Sequence, residues 1–122
     1  MNMKVLVVDD SALARRSLRQ ILESAGIDVV EADDGLTAIE RYFLEKPDVV
    51  LLDLVMRGMY GLEVLNKLRE LDATVRVVVV SADVQTSSHE LAEQAGAKAF
   101  INKPFERTEI LGALDVALAG AG

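Results

Sequence analysis

Five short apolar runs along the chain predict five β-strands. They are rich in β-branched residues, which favour strands, and they occupy residues 4–8, 28–30, 48–52, 75–80 and 99–101. The first, third and fourth runs are continuous rather than alternating between apolar and polar positions. Continuous runs are typical of strands that are covered on both faces, as in a parallel sheet.

Between these runs, apolar residues recur at helical spacing and predict five helices. The first is expected over residues 11–25, the fourth over 85–95 and the last over 106–119. The second and third helices are expected to turn two stripes toward the core, formed by Leu36, Ile39 and Phe43 and by Leu62, Leu65 and Leu68. The strict alternation of strands and helices predicts a doubly wound α/β fold with right-handed crossovers.

Length and composition indicate a single domain, residues 1–122, and narrow the classes of function. Hydrophobic residues make up 51% of the chain, enough to build a core, and only the closing AGAG looks loose. The formal net charge of −7 disfavours direct binding of nucleic acid, whose phosphates attract cationic surfaces. No apolar run reaches the roughly 18 residues of a membrane-spanning helix, and the N-terminus lacks a secretory signal. We therefore expect a cytoplasmic protein without membrane insertion.

Chemically active side chains follow four of the predicted strands. The first strand leads into Asp9 and Asp10, the third into Asp53, the fourth into Ser81 and the fifth into Lys103. In open α/β sheets, ligands bind beyond the carboxyl ends of the strands, where the strand order switches direction. In the order 2-1-3-4-5 the switch lies between strands one and three, and the three aspartates would meet there.

Three neighbouring carboxylates call for a cation. Two unit charges ~4 Å apart repel by about 4 kcal/mol at an effective dielectric constant of ~20. The chain has no cysteine and one histidine, so an all-oxygen site favours Mg²⁺ or Ca²⁺ over zinc. Few carboxylates, with room for water and a phosphoryl oxygen, favour Mg²⁺. The alternative is that Asp9 and Asp10 only stabilise the dipole of the following helix.

Asp53 is a candidate nucleophile, because a carboxylate can attack phosphorus and form an aspartyl-phosphate. The Lys103 ammonium would offset charge on the transferring group, and the Ser81 hydroxyl could donate to a phosphoryl oxygen. Simpler interpretations stay open for both residues. Lys103 can be a solvated surface cation, and Ser81 can be the cap of the fourth helix.

Four short motifs together resemble the receiver domain of bacterial two-component response regulators, of the single-domain chemotaxis type. They are VVDDS (7–11), LLDLVM (51–56), VVVVSA (77–82) and INKPF (101–105). The resemblance covers essentially the whole chain. It implies a flavodoxin-like (βα)5 fold with a five-stranded parallel sheet in the order 2-1-3-4-5. It also implies a signalling switch that catalyses its own phosphorylation and dephosphorylation, rather than an enzyme acting on other substrates.

The resemblance assigns a metal site and a phosphoacceptor. Asp9, Asp10, Asp53 and the backbone carbonyl of Val55 match the ligands of a Mg²⁺ ion, and Asp53 matches the phosphoacceptor. The phosphoryl group would come from a sensor histidine kinase, a histidine phosphotransfer protein or a small acyl phosphate.

The resemblance also assigns a switch. Ser81 and Lys103 match the phosphate-contacting residues, and Phe100 matches an aromatic residue whose ring turns inward on activation. Movement of the 81–84 loop would alter the face made by helix four, strand five and helix five. The Lys103–Pro104 peptide bond is expected to be cis. Ordinary packing is an equal alternative for Phe100.

Downstream, the resemblance implies an effector protein, or an output domain missing from this chain, and it leaves room for a dimer formed on phosphorylation. Rival interpretations are an acid-cluster phosphohydrolase, a flavin binder and a receiver-fold protein that serves interaction alone.

The segment after Asp53 departs from the family pattern. The family usually has a proline four residues after the phosphoacceptor and an acid seven residues after it; here these positions hold Arg57 and Tyr60, and Gly58 follows Arg57. Proline restricts the backbone and glycine frees it, so we expect a looser loop beside the acceptor.

Overall fold

A computed structural model describes residues 2–83 and 85–119 of the chain. Val84, at the end of the predicted switch loop, and the last three residues of the AGAG segment lie outside these ranges. Strands and helices alternate as predicted, and their bounds are β1 Lys4–Val8, α1 Ala12–Ser24, β2 Asp28–Ala32, α2 Gly35–Glu45, β3 Val49–Leu52, α3 Gly61–Leu71, β4 Val77–Ser81, α4 Thr86–Gln94, β5 Ala99–Asn102 and α5 Arg107–Ala119.

The five strands form one parallel sheet in the order β2-β1-β3-β4-β5, which confirms the predicted fold class. In the register, Val8 of β1 pairs with both Ala32 of β2 and Leu52 of β3. The residues that follow Val8 and Leu52 are Asp9 and Asp53. These two aspartates therefore leave the sheet side by side, at the switch point of the strand order.

The sheet is covered on both faces because alternate residues of each strand point to opposite sides. Val5 and Val7 belong to a core cluster with residues of α1 and α5, whereas Leu6 and Val8 belong to a second cluster with residues of α2 and α3. All five residues of β4 are buried. This two-sided burial explains why the central strands read as continuous apolar runs.

Helix α2 packs through a different stripe from the one predicted, which is a correction. Gly35 and Ala38 are buried, whereas Leu36 is 73% exposed and Phe43 is 46% exposed. The helix approaches its neighbours closely at its start, where a Cβ atom on Gly35 would lie 2.8 Å from the Met59 sulfur and 2.9 Å from a Val64 methyl carbon. Gly35 and Ala38 therefore form the closest contact, Ile39 of the predicted stripe is partly buried against the same core, and Leu36 and Phe43 face outward.

Candidate functional site

The three predicted aspartates meet at the carboxyl edge of the sheet. The Asp9 amide donates to the Ala32 carbonyl at 3.1 Å and the Asp53 amide donates to the Val8 carbonyl at 3.0 Å, so the parallel ladder extends to both aspartates. One carboxylate oxygen from each of Asp9, Asp10 and Asp53 lies within 4.8 Å of the others. The strand ends thus bring these three side chains together.

Lys103 reaches the same cluster from the end of β5. Its Nζ donates to Asp9 Oδ2 at 2.6 Å and to Asp53 Oδ2 at 3.0 Å. Its backbone amide donates to the Ser81 carbonyl at 2.9 Å, and the Lys103–Pro104 peptide bond is cis. The Lys103 side chain is 20% exposed, so it is not a freely solvated surface cation.

The cluster brings three carboxyl groups together with the ammonium of Lys103, so its charges do not cancel. Asp9 and Asp53 are 2% and 6% exposed. Burial is the largest influence on Asp9 and raises its pKa, although hydrogen bonds from Lys103 and Ser11 oppose that rise. Burial acts to lower the pKa of Lys103, but its hydrogen bonds to Asp9 and Asp53 outweigh that effect and raise it. A firmly protonated ammonium thus sits between two buried carboxyl groups, beside a third.

The donor set fits a hard divalent cation. Mg²⁺ binds oxygen atoms at about 2.0–2.1 Å, so two oxygens on one ion lie at most about 4.2 Å apart. This is close to the 4.8 Å within which the three carboxylate oxygens already lie. Each carboxylate oxygen can accept more than one contact, so the hydrogen bonds from Lys103 do not use up the ligands. Asp9, Asp10 and Asp53 could therefore hold the metal together.

The loop between β3 and α3 borders this cluster. The Val55 amide donates to Asp53 Oδ1 at 3.0 Å, and the Arg57 amide donates to Asp10 Oδ2 at 3.1 Å. The Arg57 side chain is 92% exposed, with its Nε 3.8 Å from Asp10 Oδ2. The looser backbone that we expect here stays a prediction; exchange broadening of NMR signals over residues 55–61 would support it, and sharp signals in the metal-free protein would contradict it.

Gly61, at the start of α3, has a structural role that the sequence reasoning missed. A Cβ atom at this position would lie 2.1 Å from the Asp53 carbonyl oxygen and 2.6 Å from the Leu54 Cα. Any side chain would therefore push α3 away from the strand end that carries Asp53. The signal in the sequence was its place at the end of the loop that follows Asp53.

Ser81 lies at the carboxyl edge of the sheet, at the end of β4. Ser81 is fully buried as the last residue of β4, and its Oγ accepts a hydrogen bond from the Asp83 amide at 3.2 Å. Among residues 2–83 and 85–119, Ser81 makes no hydrogen bond to the three aspartates or to the Lys103 ammonium. It does not cap α4, because Gln85 occupies the N-cap position.

Phe100 on β5 is partly buried and packs against a small cluster of Leu54, Val79 and Ala92. Its ring lies 4.5 Å from the ring of His89 on α4, measured between centroids, with an interplanar angle of 41°. His89 is exposed. The aromatic residue at the predicted switch position is thus in direct contact with the helix that the switch would move.

Comparison with known proteins identifies the family. The family model described as response regulator receiver domain matches residues 5–115. The chain is 40% identical over 116 residues to the chemotaxis protein CheY of Bacillus subtilis, covering 94% of this chain and 97% of that protein. It is also 53% identical over 104 residues to a protein-glutamate methylesterase/protein-glutamine glutaminase of Myxococcus xanthus, covering 83% of this chain but 30% of that protein. The chain therefore belongs to the response regulator receiver family.

Solved structures agree with this assignment. A CheY-like receiver domain protein from Methanospirillum hungatei superposes with a TM-score of 0.93 at 26% identity, covering 99% of this chain and 97% of that one. CheY of Borrelia burgdorferi, solved in a CheX-CheY-BeF3-Mg complex, gives a TM-score of 0.88 at 34% identity and covers 92% of this chain and 86% of that one. Receiver domains are signalling switches, and this chain is one of the CheY type. No helix in the described part of the chain has the length and apolar character that crossing a membrane requires.

Proposed function

We propose that this receiver accepts a phosphoryl group on Asp53, in a Mg²⁺-dependent reaction, and passes the signal on by changing its affinity for a partner. The observation that carries the proposal is the convergence of Asp9, Asp10 and Asp53 within 4.8 Å, with the Lys103 ammonium donating to two of them. A stable fold rarely gathers buried like charges without a use for them, because each buried charge is costly to desolvate.

Asp53 is the group best placed to accept the phosphoryl. Its Oδ2 is bonded by Lys103 and its Oδ1 by the Val55 amide, so the carboxylate is fixed in orientation. Fixing the nucleophile removes much of the entropic cost of reaction. The donor would be the phosphohistidine of a sensor kinase or of a phosphotransfer protein, or a small acyl phosphate.

Asp9, Asp10, Asp53 and the carbonyl of Val55 would hold the Mg²⁺. When bound, the ion supplies positive charge that offsets the charge of the carboxylates and of the phosphoryl oxygens. Lys103 supplies a second, permanent positive charge at Asp53. Its raised pKa keeps it protonated at neutral pH.

The phosphoryl group would then compete for the hydrogen bonds around the acid cluster. Lys103 would exchange a carboxylate oxygen for a phosphoryl oxygen, and the Ser81 hydroxyl would leave the Asp83 amide and donate to another. Since Ser81, Asp83 and Ser88 are connected by hydrogen bonds to the start of α4, that exchange would disturb the helix that contacts Phe100. The α4-β5-α5 face would change its affinity for an effector only if the effector prefers one of the two arrangements.

The direct test is phosphorylation of Asp53. We expect the wild-type protein, incubated with acetyl phosphate, to gain one phosphoryl mass at Asp53 only when Mg²⁺ is present, and Asp53→Asn to gain none. Beryllofluoride binding, detected by NMR with and without Mg²⁺, compares the wild type and Asp53→Asn without transfer of a phosphoryl group. Phosphorylation without Mg²⁺, or at another residue in the wild type, would contradict the proposal; steady turnover of a phosphate ester would favour a phosphohydrolase instead.

A further inference from the structure

Arg15, in the first turn of α1, connects that helix to the ends of both β1 and β2. Its Nη1 donates to the Asp9 carbonyl oxygen at 2.7 Å, and its Nε donates to Glu31 Oε1 at 3.0 Å. A guanidinium can hold two acceptors at once because its donors form a rigid fork. The Arg15 side chain is 18% exposed and that of Glu31 is 31% exposed, so the two contacts are partly shielded from water.

The hydrogen bond from Arg15 to the Asp9 carbonyl affects both Asp9 and Asp10. The Asp9 amide donates to Ala32 on one side, and the Asp9 carbonyl accepts from Arg15 on the other. The Asp9 carbonyl and the Asp10 amide belong to one rigid peptide plane. By holding that plane, Arg15 fixes the directions in which the Asp9 and Asp10 side chains leave the strand.

Glu31 in turn holds Arg15. Its Oε1 accepts from Arg15, and its Oε2 accepts from Arg19 Nε at 2.7 Å. Burial acts to raise the pKa of Glu31, but hydrogen bonds from Arg19 and Arg15 outweigh it and leave the pKa below its ordinary value. Glu31 pairs with Val7 in the β1–β2 ladder, so the acceptor that orients Arg15 stands on the strand beside Asp9.

We propose that Arg15, oriented by Glu31, is a positioning residue for the divalent cation: it sets Mg²⁺ affinity by fixing the Asp9–Asp10 peptide. The proposal rests on the function proposed above, because it assumes that the acid cluster binds Mg²⁺. Residues that orient metal ligands typically change metal affinity about 10–100-fold when they are removed.

The sign of the effect separates positioning from simple electrostatics. Arg15 carries a positive charge near the acid cluster, so charge repulsion alone predicts that removing it strengthens Mg²⁺ binding. Positioning predicts the opposite. Titration of Mg²⁺ alone, followed by calorimetry at constant ionic strength, is expected to give a Kd at least about tenfold higher for Arg15→Met than for the wild type.

Two further variants examine the geometry. Arg15→Lys keeps the charge but cannot hold both acceptors, so its Mg²⁺ affinity is expected to stay low; wild-type affinity would show that the fork is not needed. Glu31→Gln is expected to fall between Arg15→Met and the wild type, and unchanged affinity there would contradict the role of Glu31. Either variant keeps the test available if Arg15→Met fails to fold.

Arg19→Met is the matched control. Arg19 also donates to Glu31 and pairs with Glu23 at 3.1 Å, but its side chain does not bond Asp9. We expect this variant to lower thermal stability without metal and to leave the Mg²⁺ Kd within about twofold of wild type. The positioning role is overturned if Arg15→Met binds Mg²⁺ as well as wild type, or if Arg19→Met weakens binding equally. A wild-type protein that binds no Mg²⁺ would instead overturn the proposed function, and this inference with it.

Discussion

Acidic residues have opposite environments at the carboxyl edge of the sheet, where the parallel strands end, and at the amino edge, where they begin. At the carboxyl edge, Asp9 and Asp53 are buried and share one ammonium, that of Lys103. At the amino edge, Asp72 lies near the surface and accepts hydrogen bonds from the Tyr42 hydroxyl at 2.7 Å and from the Thr74 hydroxyl at 2.6 Å. Asp72 is thus well supplied with hydrogen-bond donors at one edge, whereas Asp9 and Asp53 are crowded around one ammonium at the other.

The pKa shifts follow this division. Burial raises the pKa of Asp9 above its ordinary value, whereas hydrogen bonds from Thr74 and Tyr42 lower the pKa of Asp72. A lowered carboxyl pKa means that the ionised side chain stabilises the fold at neutral pH, and a raised one means that it does not. At neutral pH, ionised Asp72 therefore contributes stability, whereas ionisation of Asp9 costs stability.

Among the variants that test this difference between the two edges, Lys103→Met is expected to lower the free energy of unfolding most. The substitution leaves Asp9 and Asp53 buried without their cation, and loss of one partner of a buried ion pair costs about 3–5 kcal/mol. Because Lys103 is 20% exposed, we expect a loss near the lower end, measured as the free energy of unfolding in urea at pH 7 without Mg²⁺.

Lys4→Met is the control at the amino edge. Lys4 pairs with Glu45 at 3.3 Å, and both side chains are 35% exposed, so its removal is expected to cost no more than about 1 kcal/mol. Equal losses for the two lysine variants would contradict the distinction between the edges.

A smaller effect is expected from Tyr42→Phe at the amino edge. This change removes the hydroxyl that donates to Asp72, and one such hydrogen bond contributes about 1 kcal/mol. Urea unfolding measures the loss. Tyr60→Phe is the control, because Tyr60 is 64% exposed and its variant should unfold like the wild type. A Tyr42→Phe variant with unchanged stability would show that the amino-edge bond adds nothing.

The smallest expected effects are changes in stability with pH. They are informative because Asp72 and Asp9 are expected to respond with opposite sign. The folded-state pKa of Asp72 is lowered, so its contribution is present above the unfolded value of about 3.9 and is lost as pH falls through the folded pKa. The stability advantage of wild type over Asp72→Asn should therefore shrink on acidification. The folded-state pKa of Asp9 is raised, so ionised Asp9 costs stability at neutral pH, and this cost disappears as the pH falls and Asp9 becomes protonated. Any stability advantage of Asp9→Asn over wild type should therefore shrink on acidification. Urea unfolding between pH 7 and 3 measures both differences; the same sign for both would contradict the account.

The carboxyl edge was largely predictable from sequence because polar residues that follow parallel strands can emerge only there. Asp9, Asp10 and Asp53 follow apolar runs directly, so their convergence required only the strand order. The contacts of Arg15 with Asp9 and Glu31 were not predictable, because they depend on how α1 is placed over β1 and β2. Helical spacing alone could not say that α2 packs through Gly35 and Ala38, since that choice depends on how closely the helix approaches its neighbours.

The claim that the acid cluster exists for a divalent cation is tested most directly by unfolding wild type and Asp10→Asn at increasing Mg²⁺ concentration. At a Mg²⁺ concentration one hundred times the Kd, a ligand that binds only the folded state adds about 2.7 kcal/mol to the free energy of unfolding. We expect the wild type to show that gain and Asp10→Asn, at least as stable as wild type without the ion, to show little of it. Equal gains in the two proteins, or no gain in the wild type, would contradict the account.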